Sequence, residues 1–325
     1  DGGADVPIDE KVMDIPDLDI SKFSAVDRYF TEHYASINGS LIYMAITCRP
    51  DITFAIGKTS RGMHNPRARH VAMLRKLIAY LWKTRDYKLH YYRDGSNIRS
   101  LFTDLQEQDK AISIFAASDG QNVNPVAPAL VGLADANFAN VRDEELKSIS
   151  GFVLFVLYCA VSWRSKMQTI TAESTHEAEL IAVALAANEM VWIRRLLTEL
   201  GFALGKAAIA RNELDPTDPE TLKHHLPVLE EQDDDEYESE GGDYVIPTSV
   251  LGNDNMGTTQ TVNNPETKPR NRFVGTKHFK TRKYIMWARL AVNYIPTAKN
   301  VSDMFTKALV YGPFAKFRTY VGVTL

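Results

Sequence analysis

The stretch "SWRSKMQTITAESTHEAELIA", Ser162 to Ala182, decides how the chain is read. Its first residues belong to the β-rich run "AVSWRSKM" (160–167), and its last residues open a helix. From Thr175 to about Leu200, Leu180, Val183, Ala184, Ala187, Val191 and Leu197 recur at the spacing of one buried stripe, and Gly201 supplies the stop. Glu177 and Glu179 lie beside that stripe at its start. Residues two apart on a helix point to different faces, so at most one of the pair can look inward.

On either side the pattern continues. "LVGLADANFA" (130–139) and "SISGFVLFVL" (148–157) are dense in Val, Leu and Phe, and "YCA" is the expected turn into 160–167. Further on, a strand is expected in "YVIPTSVLGND", followed by a short helix and a basic helix from about Gly275 to Arg289. A strand at "LAVNYIP" and a last helix opening near Lys299 complete the series. Three strands, a helix, and then strands and helices in alternation make an α/β or α+β sheet domain.

Upstream the period is helical. Leu41, Met44, Ala45, Ile52 and Ile56 recur at that spacing, with Pro50 placed to start a new helix. The next helix, Arg67 to Arg85, buries Val71, Leu74, Leu77, Ile78 and Leu81 and shows Arg67, Arg69, His70, Arg75, Lys76 and Lys83 elsewhere. Residues 1–22 are acidic and aperiodic, and 94–127 carry few periodic signals, so the first read as a flexible lead-in and the second as linker.

Charge is unevenly spread. Residues 213–243 hold thirteen acidic residues against Lys223 alone, so the net charge of −4 conceals a remainder of about +8. Like charges mixed with Pro and Gly cannot bury enough apolar area to offset ordering entropy, which predicts a disordered insertion. A net positive remainder suits an anionic partner such as nucleic acid. Cys48 and Cys159 are far apart with no neighbouring ligand at metal spacing, which argues against a disulfide framework or zinc site and for a reducing compartment. The longest apolar run, Gly151 to Trp163, is too short to span a bilayer, and the acidic start is unlike a signal peptide, so a soluble intracellular protein is expected.

Four acids sit in apolar surroundings near element ends: Asp135, Glu179, Asp254 and Asp303. Each alone reads as a cap or a helix-dipole partner. Together they are the set that gathers hard oxygen ligands around Mg²⁺, and their mutual repulsion predicts an ordered site only with its cation. Two such ions roughly 3.5–4 Å apart serve phosphodiester hydrolysis.

The order of these segments resembles the end of the polyprotein of copia-type LTR retrotransposons, where reverse transcriptase is followed by ribonuclease H. "GSLIYMAITCRPDITFAIGKTSRGM" and "ARHVAMLRKLIAYLWKTRDYKLHY" are similar to the thumb and connection. "LVGLADANFA", "SISGFVLFV", "AVSWRSKMQTITAESTHEAELIA" and "YIPTAKNVSDMFTKAL" are similar to the ribonuclease H, and "LGNDN" more weakly so. The resemblance implies a ribonuclease H-like mixed five-stranded sheet flanked by helices, preceded by a small helical thumb and connection segment. It divides the chain into lead-in 1–22, thumb and connection 23–98, linker 99–127 and nuclease domain 128–325 with a disordered acidic insertion at 205–244.

The resemblance further implies that Asp135, Glu179, Asp254 and Asp303 hold two Mg²⁺ ions, with Mn²⁺ as a substitute, and cleave the RNA strand of an RNA–DNA hybrid. Glu179 matches the family's catalytic glutamate, Glu177 then faces solvent or caps the helix, and Glu173 is a weaker candidate. Arg67, Arg69, Lys76, Arg164, Lys166, Lys277, Arg282 and Lys283 become candidate phosphate contacts. The implied partners are the hybrid and the parent polyprotein's upstream palm and fingers, with no membrane, in a cytoplasmic particle with access to the nucleus. Departures from the pattern are Asn137 and Lys280, where acids are usual, and the absence of a histidine from "PTAKNVSD"; His278 matches a family position. No Tyr-x-Asp-Asp-like hairpin occurs, so no DNA synthesis is expected. The competing reading is a catalytically inactive nucleic-acid-binding remnant or host-adapted protein; an integrase or transposase of the same fold finds less support in the spacing of the acids.

Overall fold

The computed structural model describes residues 3–16, 24–92, 95–101, 130–138, 147–200, 203–204, 245–246, 249–264, 280–286 and 290–325. The helices are α1 (Glu10–Met13), α2 (Ala25–Glu32), α3 (Tyr34–Thr47), α4 (Thr53–Thr59), α5 (Ala68–Lys83), α6 (Thr175–Glu199), α7 (Met256–Asn263), α8 (Lys280–Met286) and α9 (Tyr311–Tyr320). The strands are β1 (Lys88–Leu89), β2 (Leu130–Asn137), β3 (Ile149–Val156), β4 (Cys159–Met167), β5 (Ala203–Leu204), β6 (Val245–Ile246), β7 (Ser249–Asn253), β8 (Leu290–Tyr294) and β9 (Val323–Thr324).

Five strands form a mixed sheet in the order β4-β3-β2-β7-β8. β2 to β4 are an antiparallel meander, whereas β7 and β8 run parallel to β2. Such a centre strand must be covered on both faces, and β2 is buried along nearly its whole length. One face carries α6, whose Leu180, Val183, Ala186, Ala187 and Met190 pack on Leu130, Ala134, Phe152, Leu154 and Leu251. The other face, through Val131, Leu133, Ile149, Val153 and Phe155, joins a single apolar cluster with Leu41, Ile52, Phe54, Leu74 and Leu77 of the upstream helices and Phe305, Phe314 and Phe317 near the C-terminus. The helical segment and the sheet therefore share one core. Trp163 of β4 donates its indole N–H to the Ala45 carbonyl at 2.8 Å, and β1 pairs with β9.

Gly151 of β3 lies opposite Asp135 and shows why the strand needs glycine there. A Cβ at that position would stand 2.7 Å from Thr306 Cγ2 and 2.8 Å from Phe305 Cβ, so only a hydrogen lets the 301–306 turn settle on the sheet.

The structure departs from the sequence pattern in several places. The turn expected at "YCA" is Leu157–Tyr158, with Cys159 and Ala160 already in β4. His70 is buried, its Nδ1 accepting the Arg67 N–H, rather than on the outer face of α5. Residues 3–16 are not an unstructured lead-in: Val6 and Ile8 are buried, Asp9 caps α1, and Asp5 and Asp9 pair with Lys83 and Lys76 of α5. The acids that make this segment look solvated are complements to a basic helix. "YVIPTSVLGND" is two strands: Val245–Ile246 pairs with Ala203–Leu204, and Ser249–Asn253 alone joins the main sheet. Residues 247 and 248, between them, lie outside the described residues. The expected last helix is instead a pair of 3₁₀ turns, Thr297–Lys299 and Val301–Phe305, with α9 starting at Tyr311. The insertion at 205–244, most of the 99–127 linker and much of the expected basic helix lie outside the described residues.

Beneath the upstream helices is a buried polar network. Asp51 accepts from Arg49 Nε at 2.8 Å and Nη2 at 2.7 Å and from the Tyr80 hydroxyl at 2.6 Å; Arg318 of α9 donates to that hydroxyl at 3.3 Å. Burial, followed by the Asp51 carboxylate, drives the Tyr80 phenol far above its usual range. Removing one partner of a buried ion pair leaves an uncompensated charge. Asp51→Asn is therefore expected to lower unfolding stability by about 3 kcal/mol, read as a shift in the urea midpoint; an unmoved midpoint would show that the pair contributes nothing.

Candidate metal centre

β2 and β7 are parallel neighbours, so their carboxyl ends open at the same edge of the sheet, where ligands of α/β sheets gather. Asp135 lies near the end of β2 and is 1% exposed; Asp254 directly follows β7 and is half-buried. Glu179, on the second turn of α6, is 4% exposed and reaches the same edge. One carboxylate oxygen from each of Asp135, Glu179 and Asp254 lies within 4.8 Å of the others. These three acids could hold a metal ion.

The start of α6 separates the two glutamates. Ser174 Oγ accepts the Glu177 N–H at 3.1 Å, and the Glu177 carboxylate accepts the Glu173 N–H at 2.8 Å. Glu177 is thus spent on the helix start, although it is buried rather than solvent-facing. Glu179 accepts from Asn253 Nδ2 at 3.0 Å and from the Ala136 amide.

Two asparagines that the motif reading passed over fix the geometry. Asn253 Nδ2 also donates to the Ala134 carbonyl at 3.0 Å, and Asn300 Nδ2 donates to the same carbonyl at 3.3 Å. Asn253 immediately precedes Asp254, and Asn300 caps the turn that carries Asp303 by accepting the Ser302 N–H at 3.3 Å. The elements bearing two of the acids are therefore tied to the peptide beside Asp135. Asparagines next to acids in "LGNDN" and "AKNVSD" were the available signal.

Asp303 stands on the other side. Its Oδ1 accepts from Lys307 Nζ at 2.8 Å, and that ammonium also lies 3.4 Å from Asp135 Oδ2, which accepts a hydrogen bond from the Thr306 hydroxyl as well. Lys307 was not singled out from the sequence, although it follows Asp303 by four residues.

The packed carboxyls resist ionisation. Burial, and then the charges of Asp135 and Asp254, push Glu179 up to about 8. Asp303 is raised to about 7 by burial and then by Asp135, and burial raises Asp135 too. Burial opposes the charge on Lys307, but Asp135 and Asp303 outweigh it and hold the ammonium protonated. A divalent cation among these oxygens would favour the ionised carboxylates and release the carboxyl protons, so the three acids, all hard oxygen donors, fit Mg²⁺ or Mn²⁺.

The cations proposed for phosphate contact have varied surroundings. Arg164 and Lys166 are exposed on edge strand β4, flanking Ser165, which shares a row with Gly151 and Asp135. Arg67 and Arg69, at the start of α5, and Lys283 on α8 are half-exposed. Lys76 is engaged with Asp9, and Arg282 donates twice to the Thr261 carbonyl, which ties α8 to α7. Lys277 and His278 lie outside the described residues, and of Lys280 only its place at the start of α8 is described. Asn137 donates to the Thr306 carbonyl at 3.3 Å. Among the described residues, no helix is long and apolar enough to cross a membrane.

The chain is thus an α/β domain with a mixed sheet and three acids at its edge that could hold a metal ion. No family model matches the chain. Its relatives include retrovirus-related Pol polyproteins of copia-type and Ty1 transposons. RE1 of Arabidopsis thaliana is 25% identical over 309 residues, which is 95% of the chain and 16% of that polyprotein. RE2, from the same plant, is 26% identical over 89% of the chain and 15% of its own length. TNT 1-94 of Nicotiana tabacum is 34% identical over 52% of the chain and 10% of its length. The chain thus spans about one sixth or less of these relatives.

Because native Glu179 and Asp303 bind protons that the unfolded chain releases nearer 4.5 and 3.8, the folded state holds the extra protons between those values and about 7 to 8. Stability then falls as pH rises through that window. With a chelator present, the melting temperature is expected to drop between pH 5 and 8, and Glu179→Gln to flatten the drop. A melting temperature that stays level, or rises, would refute the assigned direction.

Proposed function

We propose that this chain is the ribonuclease H region of a retrotransposon Pol polyprotein, with the fold of that family, and that it hydrolyses the RNA strand of RNA–DNA hybrids. The observation that carries the reading is the meeting of Asp135, Glu179 and Asp254 within 4.8 Å at the carboxyl edge of a mixed sheet. Likeness to Pol polyproteins over most of the chain supports it.

Asp135, Glu179 and Asp254 would hold Mg²⁺. When bound, the ion supplies Lewis-acid stabilisation of the charge that develops on the scissile phosphate. The chain's own part is arrangement. Buried Asp135 and Glu179 form a floor fixed by Thr306, Asn253 and the Ala136 amide, which holds their carboxylates against mutual repulsion. Half-buried Asp254 and the partly exposed Lys307 form the side open to a phosphate. Exposed Arg164 and Lys166 stand on β4, two strands from Asp135, and by strand alternation project on the α6 face of the sheet, opposite to Ser165, Gly151 and Asp135. They would contact the hybrid's backbone away from the cleaved bond. Discrimination for RNA would come from the 2′-hydroxyls across the minor groove, without sequence reading.

The test is a labelled RNA–DNA hybrid incubated with the chain and Mg²⁺. Cleavage of the RNA strand is expected, and Asp254→Asn is expected to reduce it by about 10²–10³-fold, the range for loss of one electrostatic stabiliser, while hybrid binding persists. Binding without turnover by the unmutated chain under Mg²⁺ or Mn²⁺ would instead mark an inactive nucleic-acid-binding remnant. Affinity for the hybrid should fall steeply between 50 and 200 mM salt, by roughly tenfold or more if several phosphates are contacted; a salt-independent affinity would rule out backbone recognition.

A further inference from the structure

The four acids are divided unequally. Asp135, Glu179 and Asp254 converge on one point, whereas Asp303 is not part of that convergence and takes the Lys307 ammonium at 2.8 Å. The same ammonium lies 3.4 Å from Asp135 Oδ2, so it bridges two acids from separate elements as a bridging cation would. We propose that Lys307 holds the place of a second cation, so that the centre binds one divalent ion and uses the lysine as its other positive charge. The proposal rests on the reading of the three acids as a metal centre.

The local structure delivers the lysine together with its acid. Asp303 sits in the turn Val301–Phe305, and the amides of Thr306 and Lys307 both donate to its carbonyl, at 3.1 and 2.9 Å. The two side chains therefore rise from one rigid turn. That turn is seated against Gly151, where a larger residue would displace it. Asp135 Oδ2, the oxygen on this side, already accepts from Thr306 and faces Lys307, so its lone pairs are spent on protein donors. A second divalent ion there would have to break both contacts and displace a like charge.

The lysine is also placed to do more than neutralise. Its side chain is 35% exposed while Asp135 and Asp303 beneath it are buried, so the ammonium lies on the solvent side of the pair. There it could donate a hydrogen bond to a phosphate oxygen, which a hydrated ion would do less directionally. Four carboxylates with one divalent ion and one ammonium retain one negative charge. With two divalent ions and the lysine they would carry a positive one.

Titration of the whole chain with Mn²⁺, followed by electron paramagnetic resonance and by calorimetry, counts the ions directly and independently of cleavage. The unmutated chain is expected to bind one equivalent, with anything further at least tenfold weaker. Lys307→Met is expected to admit a second equivalent, and Lys307→Arg to keep the count at one. Two tight equivalents in the unmutated chain, or a single equivalent in Lys307→Met, would overturn the proposal while leaving the metal centre standing. No bound Mn²⁺ in any of the three would remove the metal centre itself, and this proposal with it. Should Lys307→Met fail to fold, as judged by its far-ultraviolet circular dichroism, the count in the unmutated chain decides alone.

Discussion

One carbonyl oxygen, that of Ala134, organises the acidic edge. Asn253 and Asn300 reach it from two different elements, and each asparagine stands within three residues of an acid of the cluster. Carboxylates packed at this range repel, and burial strengthens the repulsion by removing the water that would screen it. Neutral amide donors can hold such a cluster in register without adding charge. Asn253 does this twice, through Ala134 and through Glu179. The sheet supplies position and the asparagines supply angle.

That sheet is kept in place from both sides by unlike materials. On one face the cover is chiefly the long helix α6 on β2 and β3, joined by Val262 of α7 and Tyr284 of α8 beside β8. On the other it is a composite of upstream helices and the C-terminal helix, sharing one apolar cluster and cross-linked by the Arg49, Asp51, Tyr80 and Arg318 network. Residues separated by more than two hundred positions are thus in direct contact. The carboxyl edge stays open because neither cover extends over it completely: Asp254 and Lys307 keep part of their surface exposed.

Much of this could be read from the residues. β2, β3 and the helix from Thr175 show their periods plainly, since each buries a dense apolar face, whereas the edge strand β4 buries only Ala160. The upstream helix from Ala68 to Lys83 is equally plain. The four acids were picked out by their apolar surroundings and by resemblance, and geometry then sorted them into three and one. What stayed hidden depends on partners distant in sequence. Val6 and Ile8 are too few to give a period, and the acids around them have meaning only once α5 is opposite. Asn253, Asn300 and Lys307 look like ordinary residues of turns and helix starts, because a hydrogen bond to a distant carbonyl leaves no periodic trace.

The pairing of Lys88–Leu89 with Val323–Thr324 has a consequence for how such a chain can be cut or joined. The final residues reach back to brace the segment that follows α5, with Val323 wholly enclosed. A protease or a genetic breakpoint acting between Leu101 and Leu130 would therefore not release two independent pieces. The fragments would remain clasped through β1, β9 and their common interior, and each would expose a greasy wound if pulled from the other.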